Sequence, residues 1–90
     1  MAEVTREVPL SNKYGLHARP ASRLVGIANR YRSAITLANG PRAVNAKSIM
    51  EVLTLAASSG ASLTIKAVGE DAEQAVAEIT ELIAGRFGEE

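Results

Sequence analysis

The residues best placed to do chemistry lie in one short stretch, Gly15–Ala21, which reads Gly-Leu-His-Ala-Arg-Pro-Ala. It holds the only histidine of the chain, His17, and Arg19 adds a permanent cation two residues later. Pro20 lacks an N–H group and is tolerated only in the first turn of a helix, so a helix must begin just before it, with His17 at or next to the N-cap. The first N–H groups of a helix carry partial positive charge and suit an anion. An imidazole in this setting is suited to accept a phosphoryl group and then hold it.

Two charge effects favour this chemistry, and two other interpretations remain open. The helix dipole favours neutral His17, which is the nucleophilic form, and together with Arg19 it would stabilise the roughly −1.5 to −2 of charge that phosphorylation adds. In one alternative, His17 and Arg19 grip a small carboxylate or phosphate metabolite in a regulatory module, without covalent change. In the other, His17 is only a helix cap in an interaction protein, although such a cap is more often Ser, Thr, Asp or Asn.

The stretch Gly15–Ala21 resembles the phosphorylation-site signature of the HPr family. These are the histidine-containing phosphocarriers of the phosphoenolpyruvate-dependent phosphotransferase system. A second stretch, Asn45–Met50, reads Asn-Ala-Lys-Ser-Ile-Met and resembles the regulatory-serine region of that family. The two motifs have the separation usual in the family, and the resemblance covers essentially the whole chain.

The resemblance implies a phosphoryl-group carrier, a component of a phosphotransferase rather than a stand-alone enzyme. His17 is then the phospho-acceptor, through Nδ1, and Arg19 stabilises charge. The donor is enzyme I, which takes its phosphoryl group from phosphoenolpyruvate, and the next acceptor is an EIIA-type protein. No cofactor or metal is implied, and a monomer is expected for a carrier that docks on two partners in turn. The residues expected to contact these partners are Ala18, Ala21, Arg23, Ile49, Met50 and Leu53.

Ser48 is the candidate for regulatory phosphorylation, which an HPr kinase performs in some relatives. Ser48 and Glu51 also form the S-x-x-E pattern of a capping box ahead of an apolar pair, so the serine is first of all expected to cap a helix. Those relatives usually carry glycine at the position of Glu51. A carboxylate beside a new phosphate would repel it, which argues against serine regulation in this chain.

The resemblance leaves open which branch of the system the chain serves. Asn12-Lys13 and the ending Gly-Arg-Phe-Gly-Glu-Glu at residues 85–90 resemble the nitrogen-related carriers. Ala46–Met50 instead resembles the sugar-uptake carriers.

The elements that must position the histidine are predicted in the order β-α-β-β-α-β-α. Apolar alternation predicts strands over Glu3–Leu10, Ala34–Ala38, Arg42–Ala46 and Leu63–Val68. Helical spacing predicts helices over Ala18–Tyr31, from Ser48 onward, and after Gly69-Glu70-Asp71. The buried stripe expected of the first helix is Ala18, Ala21, Leu24, Val25, Ala28 and Tyr31, and that of the last helix is Ala72, Ala75, Val76, Ile79, Leu82 and Ile83.

Short connections in this order predict an α+β fold, with one antiparallel sheet and helices on a single face. The residues alone do not separate its strand order from a ferredoxin-like one. The resemblance implies an HPr-like open-faced β-sandwich, in which a four-stranded sheet of order 1-4-2-3 carries three helices on one face. Pro9 predicts a sheet edge or strand end. Asn39-Gly40 predicts a hairpin, while Pro41 argues against a simple type I′ turn.

Composition sets the outer limits on these interpretations. The 90 residues suit a single small domain over residues 1–90, with 47% hydrophobic but only 3% aromatic residues. A formal net charge of +0 excludes broad electrostatic binding to nucleic acid, and the absence of cysteine excludes disulfides and thiolate metal sites. No signal peptide or transmembrane stretch is predicted, so a cytoplasmic protein is expected.

Overall fold

The chain folds in the predicted order β-α-β-β-α-β-α, with a short 3₁₀ turn added after the last helix. The computed structural model describes residues 2–88, so Glu89 and Glu90 of the branch-related ending lie outside the described residues. The strands are β1 (Glu3–Pro9), β2 (Ala34–Asn39), β3 (Arg42–Asn45) and β4 (Ser62–Val68). The helices are α1 (Ala18–Ala28), α2 (Ile49–Leu53) and α3 (Ala72–Ala84), and the 3₁₀ turn is Arg86–Gly88.

The sheet has the order β1-β4-β2-β3, which confirms the order 1-4-2-3. All three strand pairs are antiparallel, with Val8 opposite Leu63 and Ile65 opposite Leu37. Because successive side chains of a strand point to opposite faces, alternate residues are buried along the two central strands, β4 and β2, whereas β1 buries only Val8 and β3 only Val44. Pro9 ends the edge strand β1, a place where its missing N–H costs no ladder hydrogen bond.

Small side chains let the helices lie close to the sheet. Ala21 and Ala28 of α1, and Ala72 and Ala75 of α3, are fully buried. Between them pack the larger aliphatic residues Leu24, Ile79 and Ile83, so the core is built from aliphatic side chains, as the low aromatic content requires. Helix α3 is the longest with 13 residues, and within residues 2–88 no helix is both long and apolar enough to cross a bilayer.

Helix α1 ends at Ala28, three residues earlier than predicted, because tertiary contacts replace its next turn. The side chain of Asn29 donates to the carbonyls of Val25 (2.9 Å) and Lys47 (3.1 Å). The Lys47 ammonium in turn donates to the carbonyl of Tyr31 (2.7 Å). At the other end of the predicted stripe, Ala18 is exposed rather than buried, since it lies in the first turn beyond the edge of the core.

The hairpin between β2 and β3 turns one residue later than Asn39-Gly40 suggests. Asn39 pairs with Arg42, so it closes β2 and leaves Gly40 and Pro41 as the two-residue loop. Gly40 has a φ of +62°, and proline holds its own φ near about −65°. A positive φ at the first central position alone is the pattern of a type II′ turn, which explains why Pro41 is compatible with a tight hairpin.

Helix α3 ends at Ala84, with Gly85 as its C-cap residue. Gly85 has an ordinary φ of −82°, and the three residues after it are left-handed: Arg86 (+57°), Phe87 (+56°) and Gly88 (+74°). Such a conformation costs energy for residues with a Cβ. The fully buried Phe87 ring and a hydrogen bond from the Arg23 guanidinium to the Phe87 carbonyl offset this cost.

Asp71 ties the start of α3 to the turn ahead of β2. Its carboxylate accepts hydrogen bonds from the N–H groups of Arg32 (2.9 Å) and Ser33 (3.0 Å) and from the Ser33 hydroxyl. The Ser33 hydroxyl, followed by the Arg32 N–H, lowers the pKa of Asp71 from its usual value of 3.8. The ionised carboxylate therefore stabilises the folded state.

The Asp71→Asn variant should be less stable than the wild type at neutral pH, with a difference that shrinks in acid. Because the folded pKa is lowered, the carboxylate contributes stability above its unfolded pKa, and this contribution is lost as the pH falls through the folded pKa. Urea denaturation from about pH 7 down to about pH 3 measures it. Glu70→Gln, at the exposed neighbouring carboxylate, should change stability little at any pH. A deficit in Asp71→Asn that stays constant with pH would contradict this role.

Candidate functional site

His17 is the N-cap residue of α1, as predicted, and its backbone is extended with φ −86° and ψ −171°. Its carbonyl accepts the first helical hydrogen bond, from the N–H of Ala21 (3.0 Å). Its imidazole makes no side-chain cap hydrogen bond, which removes the interpretation of His17 as only a cap. The N–H groups of Ala18 and Arg19 lie in the first turn, where a helix offers no internal acceptor. These donors and the helix dipole therefore lie next to a half-buried imidazole.

A tight turn over Asn12–Gly15 brings the chain to the histidine. The N–H of Gly15 donates to the carbonyl of Asn12 (3.2 Å), so Lys13 and Tyr14 are the central residues of the turn. The fully buried Asn12 amide donates to the carbonyl of Gly15 (2.7 Å). Sequence reasoning treated Asn12 as part of a loop. An asparagine three residues before a glycine could have indicated this hydrogen bond, since asparagine side chains favour hydrogen bonds to nearby backbone.

Gly15 is required for its conformation and for its lack of a side chain. Its φ of +71° lies in the left-handed region, which glycine adopts readily. A Cβ at this position would lie 2.5 Å from the carbonyl oxygen of Ala57 and 3.0 Å from Cα of Ser58. The next residue, Leu16, is buried and donates its N–H to the same Ala57 carbonyl (2.9 Å). The histidine loop is thus fastened to the loop that follows α2.

Two aromatic and cationic contacts beside His17 were not predicted. The Tyr14 ring lies edge-to-face with the imidazole, with ring centroids 6.2 Å apart and planes at 82°. The Lys13 ammonium lies 5.3 Å from the centroid of the Tyr14 ring. Tyr14 is 72% exposed, so Lys13 and Tyr14 form part of the surface next to the histidine. Helical spacing could not predict these contacts, because Lys13 and Tyr14 lie in the turn before α1.

The predicted partner-contacting residues of α1 divide into exposed and buried ones. Ala18 is exposed beside His17, as is the neighbouring Arg19. Ala21 is fully buried, which corrects the expectation that it contacts a partner, because its methyl group belongs to the hydrophobic core. Arg23 is exposed but donates to the carbonyl of Phe87, so it also ties α1 to the end of the chain.

The α2 patch consists of Ile49, Met50 and Leu53, whose side chains are exposed. Met50 is 74% exposed, and Ile49 and Leu53 are each 37% exposed. The same short helix is held to the core by Val52, which is fully buried. Exposed apolar side chains that cluster on one element are typical of an interaction surface, and methionine adapts to differently shaped partners.

Ser48 caps α2, but only half of the predicted capping box forms. The Ser48 hydroxyl accepts from the N–H of Glu51 (3.3 Å). The Glu51 carboxylate does not return to the Ser48 N–H. It accepts from the N–H of Asn45 (3.0 Å), while the Ser48 N–H donates to the Asn45 carbonyl (3.1 Å). The carboxylate therefore closes the β3–α2 connection, and the reciprocal bond of a full box is replaced by a turn.

Comparison with known proteins agrees with this geometry. The family described as "PTS HPr component phosphorylation site" matches residues 4–85. The chain is 43% identical over 84 residues to the phosphocarrier protein HPr of Xylella fastidiosa, covering 93% of this chain and 94% of that protein. It is 34% identical over 89 residues to the phosphocarrier protein NPr of Shewanella violacea, covering 99% and 98%. The crystal structure of HPr-C-His from Thermoanaerobacter tengcongensis matches with a TM-score of 0.88 at 43% identity, covering 100% of this chain and 99% of that chain.

Gly15→Ala should be much more destabilising than Gly40→Ala. Both glycines have a similar positive φ, +71° and +62°, so alanine brings comparable backbone strain at each. At Gly40 the new methyl group meets nothing within 4 Å, whereas at Gly15 it overlaps the Ala57 carbonyl. The overlap should add about 1–3 kcal/mol to the loss of unfolding free energy, measured by urea denaturation. Equal losses in the two variants would show that the contact with Ala57 does not constrain the histidine loop.

Proposed function

The chain belongs to the HPr family of the phosphotransferase system, and from this membership we propose that it carries a phosphoryl group on Nδ1 of His17. The observation that supports the proposal is the half-buried imidazole at the N-cap of α1, beside the first-turn N–H groups and Arg19. We further propose that the chain is a single HPr domain. The family match at residues 4–85 covers all three helices, β2, β3 and β4, and all of β1 except its first residue.

The proposed reaction moves one phosphoryl group between two imidazoles. Nδ1 must offer a lone pair, so neutral His17 holds its proton on Nε2. Nδ1 attacks the phosphorus of the phosphohistidine of enzyme I. A new P–N bond forms as the P–N bond to the donor ring breaks, and the bonding electron pair leaves with that ring. An EIIA-type protein then accepts the group by the same exchange, without any further reactant.

This chemistry needs positioning and charge stabilisation more than an enclosed pocket. The N–H groups of Ala18 and Arg19 and the dipole of α1 stabilise the phosphate oxygens once the group rests on His17. The guanidinium of Arg19 adds a full positive charge at the same end of the helix. Because the partner covers the site during transfer, these charges act more strongly in the complex than in the free carrier.

The proposed docking surface joins Ala18 and the exposed part of the His17 loop to the α2 patch. A modest interface of this kind suits a carrier that must leave each partner quickly. We place the carrier in the cytoplasm, where enzyme I meets phosphoenolpyruvate, and we expect it to act as a monomer. Regulation by an HPr kinase is not part of the proposal, because the Glu51 carboxylate near Ser48 would repel a phosphate there.

Incubation with enzyme I, phosphoenolpyruvate and Mg²⁺ should add one acid-labile phosphate to the wild type and none to His17→Ala. Intact-mass measurement checks this, and thermal unfolding confirms that the variant is folded. Enzyme I of the sugar and of the nitrogen-related branch should be compared side by side, since relatives of both names match. Labelling of His17→Ala would contradict the proposal. No labelling of the wild type by either enzyme, with saturable binding of a phosphate or carboxylate metabolite, would favour the regulatory module.

Arg19→Gln should slow phosphoryl transfer from enzyme I on the order of 10- to 100-fold. This is less than the effect of an enclosed arginine finger, because Arg19 is exposed and water screens its charge in the free carrier. Initial rates of transfer measure the effect. Arg32→Gln removes an exposed arginine from the turn before β2 and should leave the rate unchanged. Equal rates for Arg19→Gln and the wild type would remove Arg19 from the transfer chemistry.

A further inference from the structure

Tyr14 is an exposed aromatic residue that the transfer chemistry described above leaves without a role. Its ring centroid lies 6.2 Å from that of His17, with the planes at 82°, within the range of favourable edge-to-face aromatic pairs. The side chain is 72% exposed, so it contributes little to the core. An aromatic ring kept at the surface against the only histidine of the chain therefore calls for an explanation at the histidine itself.

The backbone that presents Tyr14 is firmly held. The turn over Asn12–Gly15 is closed by the Gly15 N–H bond to the Asn12 carbonyl (3.2 Å) and by the buried Asn12 amide on the Gly15 carbonyl (2.7 Å). Gly15 itself lies so close to Ala57 that a Cβ would reach within 2.5 Å of its carbonyl oxygen. Tyr14 and His17 thus project from one short, anchored segment, and their relative placement follows from it.

Lys13 also contacts the Tyr14 ring. Its ammonium lies 5.3 Å from the Tyr14 ring centroid, within the distance of a cation–π contact. Lys13 and Tyr14 are the two central residues of the same turn, so the contact requires no long-range ordering.

We propose that Tyr14 is a positioning residue for phosphoryl transfer. Its ring restricts rotation of the His17 imidazole about the Cβ–Cγ bond, and Lys13 restricts the ring. This inference rests on the proposed function, because it concerns the orientation in which Nδ1 meets the phosphorus. A nucleophile held in one orientation before the donor arrives does not lose that rotational freedom in the transition state.

Tyr14 could affect transfer in two ways, through the orientation of His17 or through the affinity for enzyme I, and an assay with enzyme I alone does not distinguish them. A positioning residue acts on His17 whether or not a protein partner is present. A residue that serves only as a docking anchor acts on the affinity for enzyme I alone. Phosphoramidate is a small phosphoryl donor without a protein surface, so the rate at which it labels the carrier reports only the effect on His17. The kcat and KM for the carrier with enzyme I report the effect on docking.

Tyr14→Ala should slow labelling by phosphoramidate and lower the enzyme I kcat for the carrier by a similar factor, about 3- to 10-fold, with little change in KM. Tyr14→Phe, the matched control, keeps the ring and should behave as the wild type. Lys13→Met should give a smaller loss of the same kind, while Lys66→Met, at a half-exposed lysine of β4, should give none. Phosphorus NMR should also show a larger share of the Nε2 phosphoisomer after phosphoramidate treatment of Tyr14→Ala than of the wild type.

The outcomes distinguish this inference from the proposed function. If the wild type takes no phosphate from either enzyme I, the carrier function is overturned, whatever the rate at which phosphoramidate labels Tyr14→Ala. Wild type that is labelled normally, with unchanged rates and isomer ratio in Tyr14→Ala, overturns the positioning role alone. A raised KM with an unchanged phosphoramidate rate also overturns it and makes Tyr14 a docking anchor. Thermal unfolding of each variant should match the wild type, since Tyr14 and Lys13 are both exposed.

Discussion

The close approach of Gly15 to the carbonyl of Ala57 is the constraint on which the site depends. It leaves no room for a side chain at residue 15, and the same carbonyl accepts the N–H of Leu16. Through it, the loop that carries His17 rests on the loop that follows α2. Ala56, the residue before that carbonyl, itself holds a φ of +48°, so both sides of the contact use left-handed backbone. An unfavourable conformation such as that of Ala56 persists where the surrounding structure enforces it, and here it adjoins the carbonyl on which the loop carrying His17 rests.

The helix that begins at His17 is secured at its far end by the region that precedes the α2 patch. Asn29 donates to the carbonyl of Lys47, and Lys47 donates to the carbonyl of Tyr31. The next residue, Ser48, caps α2. The site and the α2 patch are therefore joined at two places, through the Gly15–Ala57 contact and through Lys47. The α2 patch and His17 therefore keep a defined relative position, because the body between them is packed and hydrogen-bonded.

Helix α1 is also tied to α3 and the end of the chain. The Arg23 guanidinium donates to the carbonyl of Phe87, whose ring is fully buried, and Arg30 forms an ion pair with Glu78 (3.2 Å). The Tyr31 hydroxyl donates to the same Glu78 carboxylate, which raises the pKa of the phenol. A small aliphatic core gains from these links, because they hold the helix that begins after His17 without placing charge in the interior.

Much of the structure of this protein can be predicted from its sequence, and there is a physical reason why the rest cannot. Pro20 places the start of α1, and hence His17 at the N-cap, because steric exclusion by a proline ring acts within one turn. Alternation places the buried faces of the strands for an equally local reason. The residues alone left the strand order undecided, and it came from the resemblance to a family. Five features were not predicted: the burial of Asn12, the early end of α1, the hydrogen bond from the Asn45 N–H to Glu51, the left-handed backbone of Phe87 and the Tyr14–His17 ring contact. Each depends on where a loop or a distant segment comes to rest, and only the folded chain decides that.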